Sequence, residues 1–167
     1  VNAQLIHELD QNQYVQEFLV SGPYKQESIK TDQWQNLFKV DFIDEKEPES
    51  LADFTAVKTR DNRLDLNKVL GDSAMAVAYA RFTLQAGQDE EALLLVYAED
   101  GASVFVNGEK IYTGFGAGAS SPHEIVTLLK KGNNEIMIKV PNRDWVWSLS
   151  VKPLNSEKKQ AYLESGK

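Results

Sequence analysis

The stretch AEDGASVFVNGEKIYTG, from Ala98 to Gly114, places two short apolar runs on either side of an Asn-Gly pair. A type I′ turn needs positive φ at both central positions, and Asn and Gly adopt such values at little cost. The pattern therefore predicts a β-hairpin with Asn107-Gly108 at its tip. A two-residue loop fixes the register of the hairpin. The expected pairs are Val106 with Glu109, Phe105 with Lys110, Val104 with Ile111 and Ser103 with Tyr112.

The two faces of this hairpin differ in character. Val104, Val106 and Ile111 share one face, which we expect to be buried because successive side chains of a strand alternate between faces. Phe105 falls on the other face, where it meets water or a neighbouring element. Lys110 lies beside it, and its ammonium group is expected to cover the ring as a cation–π contact.

Short apolar runs separated by turn signals continue on both sides of the hairpin. Besides the hairpin, the predicted strands are 17–20 (ended by Gly22-Pro23), 37–43, 54–59, 75–84, 92–97, 124–128, 135–140 and 145–151. Residues 1–13 are predicted as a short helix or an extended arm, since Leu5, Ile6 and Leu9 follow roughly helical spacing. Many short strands with little helical periodicity between them are typical of an antiparallel sandwich or barrel.

We therefore predict one all-β domain over residues 1–154, an antiparallel β-sandwich with a short N-terminal arm or helix. The polar segment 155–167 is predicted as a linker or a connecting helix. A chain of 167 residues with 42% hydrophobic and 26% charged residues suits a single globular domain.

Charge and composition exclude several classes of function. A net charge of −7 without a basic stripe argues against nucleic-acid binding. The absence of cysteine excludes disulfides, thiolate metal ligands and a cysteine nucleophile. No apolar run approaches the roughly 20 residues of a membrane span, so we expect no membrane partner. The N-terminus has no signal-peptide pattern, but a cleaved signal peptide would leave the same sequence.

Catalytic and metal-binding patterns are sparse. The two histidines, His7 and His123, have no partner at metal-ligand spacing, and no G-x-S-x-G elbow occurs. The run GFGAGA at 114–119 fits the glycine pattern of dinucleotide sites, but a hairpin strand precedes it and another strand follows, which favours a flexible glycine loop. The carboxylates of Glu99 and Asp100 are too few for a calcium cage, so a tight turn is favoured there. We expect no catalytic site, no metal site and no cofactor.

The tryptophans are the strongest candidates for ligand contact, because a flat aromatic face can stack on a sugar ring. In DWVWSLSV, strand alternation puts Trp145, Trp147, Leu149 and Val151 on one face. Trp147 is therefore predicted as a core residue. Trp145, next to the loop PNRD, is left open between core and ligand contact, and so is Trp34 in TDQWQNLF.

Four pieces of this sequence occur in a familiar order: Asp100-Gly101, VFVNG at 104–108, LKKGN at 129–133 and the strand at 136–140. This order resembles the galactose-binding-like β-sandwich modules of bacterial hydrolases, including the sugar-binding domain of family 2 glycoside hydrolases. EFLVSGPY at 17–24 also resembles their opening strand. Protective-antigen-like modules carry an Asp-Asp-Gly element instead, and Glu99 replaces its first aspartate here, which argues against that alternative and its calcium site.

The resemblance implies a jelly-roll module of a larger secreted or periplasmic polysaccharide-degrading enzyme, hence an extracellular or periplasmic location. In such sandwiches a ligand is held by loops at one end. The candidate ligand-binding residues are Trp145, Arg143, Asn142, Asp144 and Tyr112, with Glu99 and Asp100 as a second tier.

Two functions are open at this point. The first is a non-catalytic module that binds a neutral glycan. The second is a docking domain that packs against an adjacent catalytic domain of the same polypeptide and binds no sugar. Docking predicts an exposed apolar patch around Phe105 and Tyr112.

Overall fold

The computed structural model of the chain describes residues 3–6, 14–48, 54–116 and 120–165. Their elements, in chain order, are β1 (Gln4–Leu5), β2 (Glu17–Tyr24), a 3-10 helix (Thr31–Lys39), β3 (Thr55–Lys58), β4 (Leu64–Asp65), α1 (Leu66–Leu70), β5 (Ala76–Ala86), β6 (Glu90–Tyr97), β7 (Gly101–Val106), β8 (Glu109–Phe115), β9 (His123–Leu129), β10 (Gly132–Asn142), β11 (Ser148–Leu154) and α2 (Ser156–Glu164).

The strands form two sheets that pack face to face. The larger sheet has the order β3-β2-β5-β10-β7-β8, and the smaller sheet has the order β4-β11-β6-β9. Both sheets are antiparallel except where β1 pairs in parallel with the end of β5. The predicted all-β sandwich is confirmed.

The beginning of the chain differs in detail from the prediction. Most of the expected arm or helix at 1–13 lies outside the described residues, but Gln4–Leu5 is an extended strand and Ile6 is buried in the main core. The next strand, β2, continues to Tyr24, which pairs with Val77, so the expected end at Gly22-Pro23 is wrong. A register shift on either side of this dipeptide lets the pairing resume.

The Asn107-Gly108 turn forms as predicted, with φ of 52° and 84°. The Asn107 side chain also ties the turn to the neighbouring strand, because its Oδ1 accepts from the backbone N–H of Glu135 at 2.9 Å. A Cβ on Gly108 would lie 2.9 Å from the carbonyl oxygen of Lys46. Glycine is therefore required here both by its positive φ and by a close backbone approach.

The register of the hairpin is only half as predicted. Val106 pairs with Glu109 and Phe105 with Lys110, but beyond them the register shifts by one residue, so that Val104 pairs with Tyr112 and Ser103 with Thr113. The expected pairs Val104–Ile111 and Ser103–Tyr112 are wrong, because Ile111 is the extra residue of a β-bulge. The bulge lets both Ile111 and Tyr112 pack against the main core.

The main core lies between the two sheets and is built by alternation along the strands. Ile136, Ile138 and Val140 of β10 point into it. Trp147 is only 1% exposed, and its indole N–H donates to the carbonyl of Val140 at 3.0 Å. The prediction that Trp147 is a core residue is confirmed.

A second, smaller core covers the outer face of the larger sheet. The predicted strand at 37–43 is wrong: residues 31–39 form the 3-10 helix, and Leu37 and Ile43 pack onto Val77, Tyr79, Phe105 and Met137. The apolar residues in this segment therefore serve to pack on a sheet that is apolar on both faces. Phe105 meets this neighbouring element, and Lys110 lies over its ring at 5.7 Å, as predicted.

A buried ion pair fastens this segment to the sheet. Lys139 of β10 is 0% exposed, and its ammonium group donates to Glu45 Oε2 at 2.8 Å. It also donates to the carbonyls of Phe38 at 3.2 Å and Val40 at 2.5 Å. The hydroxyl of Tyr79 donates to the same Glu45 oxygen at 2.5 Å. All of these groups are thereby satisfied although they lie away from water.

The segment after the sandwich contains α2. The side chain of Asn155 caps it by accepting from the backbone N–H of Lys158 at 2.9 Å. Tyr162 packs against Leu93, Leu95 and Leu154 on the outer face of the smaller sheet. The helix is thus present, whereas the domain boundary at 154 and the role of 155–167 as a linker stay predictions. In the described part of the chain, no helix is long and apolar enough to cross a lipid bilayer.

Candidate ligand site at the loop end of the sandwich

Three connecting segments meet at one end of the sandwich: 71–75, 98–100 and 143–147. The backbone N–H of Arg143 donates to Asp100 Oδ2 at 2.8 Å. The carbonyl of Arg143 accepts from the backbone N–H of Met75 at 3.0 Å, and the amide of Asn142 donates to the carbonyl of Ser73 at 2.7 Å. We call this region the loop end.

Trp145 is the most exposed large apolar side chain among the described residues, at 87%. Its backbone has a φ of 70°, a left-handed value that is uncommon for a bulky residue. Asn67 holds this conformation: its Nδ2 donates to the carbonyl of Trp145 at 3.0 Å, and its Oδ1 accepts from the backbone N–H of Trp147 at 2.8 Å. Because β11 begins only at Ser148, strand alternation does not reach Trp145. The indole is therefore turned outward while Trp147 is turned inward.

A depression of about 630 Å³ lies beside the exposed indole. Its volume falls in the range of small-ligand sites, although it is open to solvent. The residues that line it are Trp145, Val146, Arg63, Asp65, Asn67, Asp72, Ser73 and Ala74. An aromatic face thus adjoins hydroxyl, amide, guanidinium and carboxylate groups.

Some of the charged groups of the depression interact with one another. Arg63 lies 3.6 Å from Asp65, whose carboxylate also caps α1 by accepting from the backbone N–H of Lys68 at 3.3 Å. Asp72 adds a second carboxylate. One cation against two anions disfavours an anionic ligand and is compatible with a neutral one.

Asp100 stabilises the loop end through its hydrogen bond from the backbone of Arg143. Burial raises the pKa of its carboxyl group, whereas the hydrogen bond from the backbone of Arg143 and the guanidinium charge act in the opposite direction. The second-tier candidate Asp100 is therefore an acceptor for the loop backbone in this structure.

Four of the five predicted site residues lie together, with Asn142 at the end of β10 and Arg143, Asp144 and Trp145 in the loop that follows. Arg143, Asp144 and Trp145 are exposed, whereas Asn142 is buried beneath them. The Oδ1 atom of Asn142 is buried without a hydrogen-bond partner among the described residues. Asn142 therefore supports the loop, while the three exposed residues can reach a ligand.

Tyr112, the fifth predicted residue, lies within β8. It packs against the main core, and its hydroxyl group is 2.6 Å from Nδ1 of His123. Burial raises the pKa of Tyr112. His123 begins β9 and is buried, with Nε2 at 3.2 Å from the carbonyl of Gly116. His7 and residues 117–119 of the glycine run lie outside the described residues.

The apolar patch expected around Phe105 and Tyr112 is not found. Phe105 is 3% exposed because the segment around the 3-10 helix covers it, and Tyr112 is half-buried in the sandwich. Among the described residues, the exposed large apolar side chains are instead Val69, Phe115, Val126, Leu128, Trp145, Val146 and Leu163.

Sequence reasoning missed the residues from 63–74 that complete the depression. The run RLDLNKVLGD carried one signal, an aspartate placed to cap a short helix that ends at glycine, and that signal concerns structure only. The role of Asn67 had no local signal, since its partner Trp145 is 78 residues further along the chain.

Comparison with solved structures places this architecture among known folds. The crystal structure of a β-glucosidase from Kluyveromyces marxianus matches 88% of this chain and 18% of that one, with 12% identity and a TM-score of 0.51. The chain shares its fold with part of this β-glucosidase. The β-sandwich fold that the sequence resemblance implied is thereby confirmed.

Two further solved structures match the chain with lower TM-scores. A β-glucuronidase from Ruminococcus gnavus matches 78% of this chain and 21% of that one, with 12% identity and a TM-score of 0.49. A family 35 carbohydrate-binding module from Clostridium thermocellum matches 55% of this chain and 88% of that one, with 20% identity and a TM-score of 0.33. The chain spans about a fifth of the β-glucosidase and of the β-glucuronidase. No protein-family model and no curated protein matches the sequence.

Proposed function

We propose that this chain is a non-catalytic glycan-binding module of a larger extracellular or periplasmic polysaccharide-degrading enzyme. The observation that carries the proposal is the outward-facing indole of Trp145 beside a depression lined by polar groups. The Asn67 amide fixes the backbone there, since it donates to the carbonyl of Trp145 and accepts from the backbone N–H of Trp147. The fold likeness to part of a β-glucosidase supports the proposal, because it shows that this architecture occurs within a glycoside hydrolase.

Preorganisation favours Trp145 as a binding platform. An exposed indole that is fixed at its backbone loses little conformational entropy when a ligand stacks on it, so more of the contact energy contributes to affinity. Around the ring, Arg63, Asp72 and Ser73 supply donors and acceptors for sugar hydroxyl groups. The excess of carboxylates in the depression favours a neutral glycan over a uronic acid polymer.

One of the two carboxylates that line the depression is already engaged by neighbouring groups. Glycoside hydrolases use two carboxyl groups that flank the scissile bond, one of them free to protonate the leaving group. Asp65 is committed to Arg63 and to the N-terminus of α1, so it serves as a structural acceptor. We therefore assign the chain a binding role.

The test is affinity gel electrophoresis and calorimetry against soluble galactomannan, xyloglucan, arabinoxylan and mixed-linkage β-glucan, with polygalacturonate as the acidic polymer. We expect one neutral polymer to retard the protein, Trp145→Ala to abolish the retardation, and Leu128→Ala to leave it unchanged. Leu128 is a matched control because it is also an exposed apolar residue, at 65%, on a strand of the smaller sheet. Retention of full affinity by Trp145→Ala would refute the platform.

A docking role is the second candidate, and one surface favours it. Val126 and Leu128 project from the outer side of β9, at the edge of the smaller sheet, and Leu163 is exposed on α2. Such side chains are typical of an interface with another domain. If the chain docks on an adjacent catalytic domain, Leu128→Lys should weaken its association with that domain supplied as a separate protein. Unchanged association would exclude this surface.

A further inference from the structure

A second aromatic surface lies near the loop end. Phe115, the last residue of β8, is 51% exposed and packs on Phe38 with ring centroids 4.9 Å apart. Trp34 of the 3-10 helix meets the same ring edge-on at 6.4 Å. Phe38 is buried beneath them, whereas Trp34 is half-buried. We call Trp34 and Phe115 the second aromatic surface.

The backbone connects this surface to Trp145 through short contacts. Phe115 pairs with Gly101, and the backbone N–H of Gly116 lies 3.4 Å from the carbonyl of Asp100. Asp100 in turn accepts from the backbone N–H of Arg143, two residues before Trp145. Summing strand-pair and Cα spacings along this path places the Cα atoms of Phe115 and Trp145 at most about 25 Å apart.

Groups that can hydrogen-bond to hydroxyls lie beside Trp145. Arg143 and Asp144 precede it in the same connecting segment and are exposed. A single sugar stacked on Trp145 makes one aromatic contact, whereas a chain of several sugars is long enough to reach both surfaces across at most this separation. A glycan that stacks on both aromatic surfaces gains two contacts but loses its translational freedom only once.

We propose that the module binds an extended segment of a neutral glycan, which contacts Trp145 with one part and the second aromatic surface with another. This inference rests on the proposed function and specifies its ligand as a segment of several sugars instead of a single sugar. It gives Trp34 and Phe115 a specificity role, since they select for chain length.

The experiment uses the neutral polysaccharide that retards the protein and oligosaccharides prepared from it, from disaccharide to octasaccharide. Calorimetry measures the affinity of the native protein and of Trp145→Ala, Phe115→Ala and Phe115→Leu, with Leu128→Ala as the control. Phe115→Leu keeps an apolar cover over Phe38 and removes only the aromatic face. Thermal unfolding establishes that each variant is folded.

We expect the affinity of the native protein to rise with chain length until both surfaces are occupied. Both Phe115 variants should bind the longest oligosaccharides with roughly tenfold lower affinity, a typical value for one aromatic contact. Their affinity for the disaccharide should be unchanged. Trp145→Ala should weaken binding at every length, and Leu128→Ala should change nothing.

The possible failures are distinguishable. If no polymer or oligosaccharide binds, the proposed function and this inference both fall. If binding requires Trp145 but does not change with chain length, or is unchanged in both Phe115 variants, only the extended-chain inference falls. If the Phe115 variants lose binding of the disaccharide as well, a single site at Phe115 replaces the two-surface arrangement.

Discussion

Replacement of Lys139 by methionine should be the most destabilising lysine substitution on the larger sheet. Methionine matches the apolar stem but removes the ammonium group that donates to the Glu45 carboxylate and to the carbonyls of Phe38 and Val40. The carboxylate then keeps its hydrogen bond from Tyr79 but loses its countercharge. Removing one partner of a buried ion pair costs about 3–5 kcal/mol, because the other charge stays buried. Against a typical unfolding free energy of about 5–15 kcal/mol, this loss is large.

The pKa shifts of the pair indicate which double variant restores stability. Burial raises the pKa of Glu45 and lowers that of Lys139, and their mutual hydrogen bond only opposes these shifts. A raised carboxyl pKa contributes stability below its ordinary value of 4.5 and loses it as the pH rises through the folded-state value. A lowered lysine pKa contributes stability above 10.5 and loses it as the pH falls. At neutral pH, desolvation therefore opposes both charges.

The double variant Lys139→Met/Glu45→Gln should accordingly recover about 1–3 kcal/mol relative to Lys139→Met. Glutamine keeps an oxygen that accepts from the hydroxyl of Tyr79 but carries no buried charge. Lys110 is an exposed lysine on β8, the edge strand of the same sheet, so Lys110→Met is the control and should cost less than about 1 kcal/mol. Urea unfolding followed by circular dichroism measures all four proteins, and hydrogen exchange of residues 31–48 reports local opening.

The reasoning would be refuted if Lys139→Met lost less than about 1 kcal/mol with an unchanged denaturant slope, since the slope reports the surface exposed on unfolding. It would also be refuted if the double variant were no more stable than the single one. That result would show that the unpaired carboxylate is not the cause of the loss.

Three further substitutions test the packing and the loop end. Trp147→Ala should cost about 3–5 kcal/mol in urea unfolding, since it empties a buried site and leaves the carbonyl of Val140 without its indole donor. Gly108→Ala should cost more than about 1 kcal/mol by the same measurement, because alanine meets both the positive φ and the carbonyl of Lys46. The melting temperature of Asp100→Asn, relative to that of the native protein, should increase as the pH rises above 3.8. The reason is that burial raises the pKa of the native carboxyl group and penalises its ionised form. A difference in melting temperature that does not change with pH would contradict this.

Features set by neighbouring residues were predictable from the sequence. The Asn107-Gly108 turn follows from local φ preferences, and the burial of Trp147 follows from the alternation of Leu149 and Val151 after it. The same logic failed at the bulge. No residue type marks Ile111 as an extra residue, and its position is favoured by the packing of Ile111 and Tyr112 against strands elsewhere in the sequence.

Features set by distant residues were not predictable in this way. Lys139 stands in a strand as a polar residue of the kind that usually faces water, and its partner Glu45 is 94 residues away. The segment 37–43 alternates like a strand, yet its apolar residues pack on the outer face of the larger sheet. The loop Trp145 was identified as a candidate from its type and position, whereas Asn67 could be found only from the folded chain.

Segments that cover the outer faces of the two sheets limit where a ligand can bind. The outer face of the larger sheet lies under the segment fastened by Lys139 and Glu45, so a ligand there would first have to break that ion pair. Part of the outer face of the smaller sheet lies under α2. Trp145 needs no such displacement, because it is exposed in the folded state. We therefore expect stability and ligand affinity to respond differently to Lys139→Met. The variant should have a lower free energy of unfolding, but under conditions where it is folded its affinity at Trp145 should be unchanged. A parallel loss of both would place the ligand on the larger sheet instead.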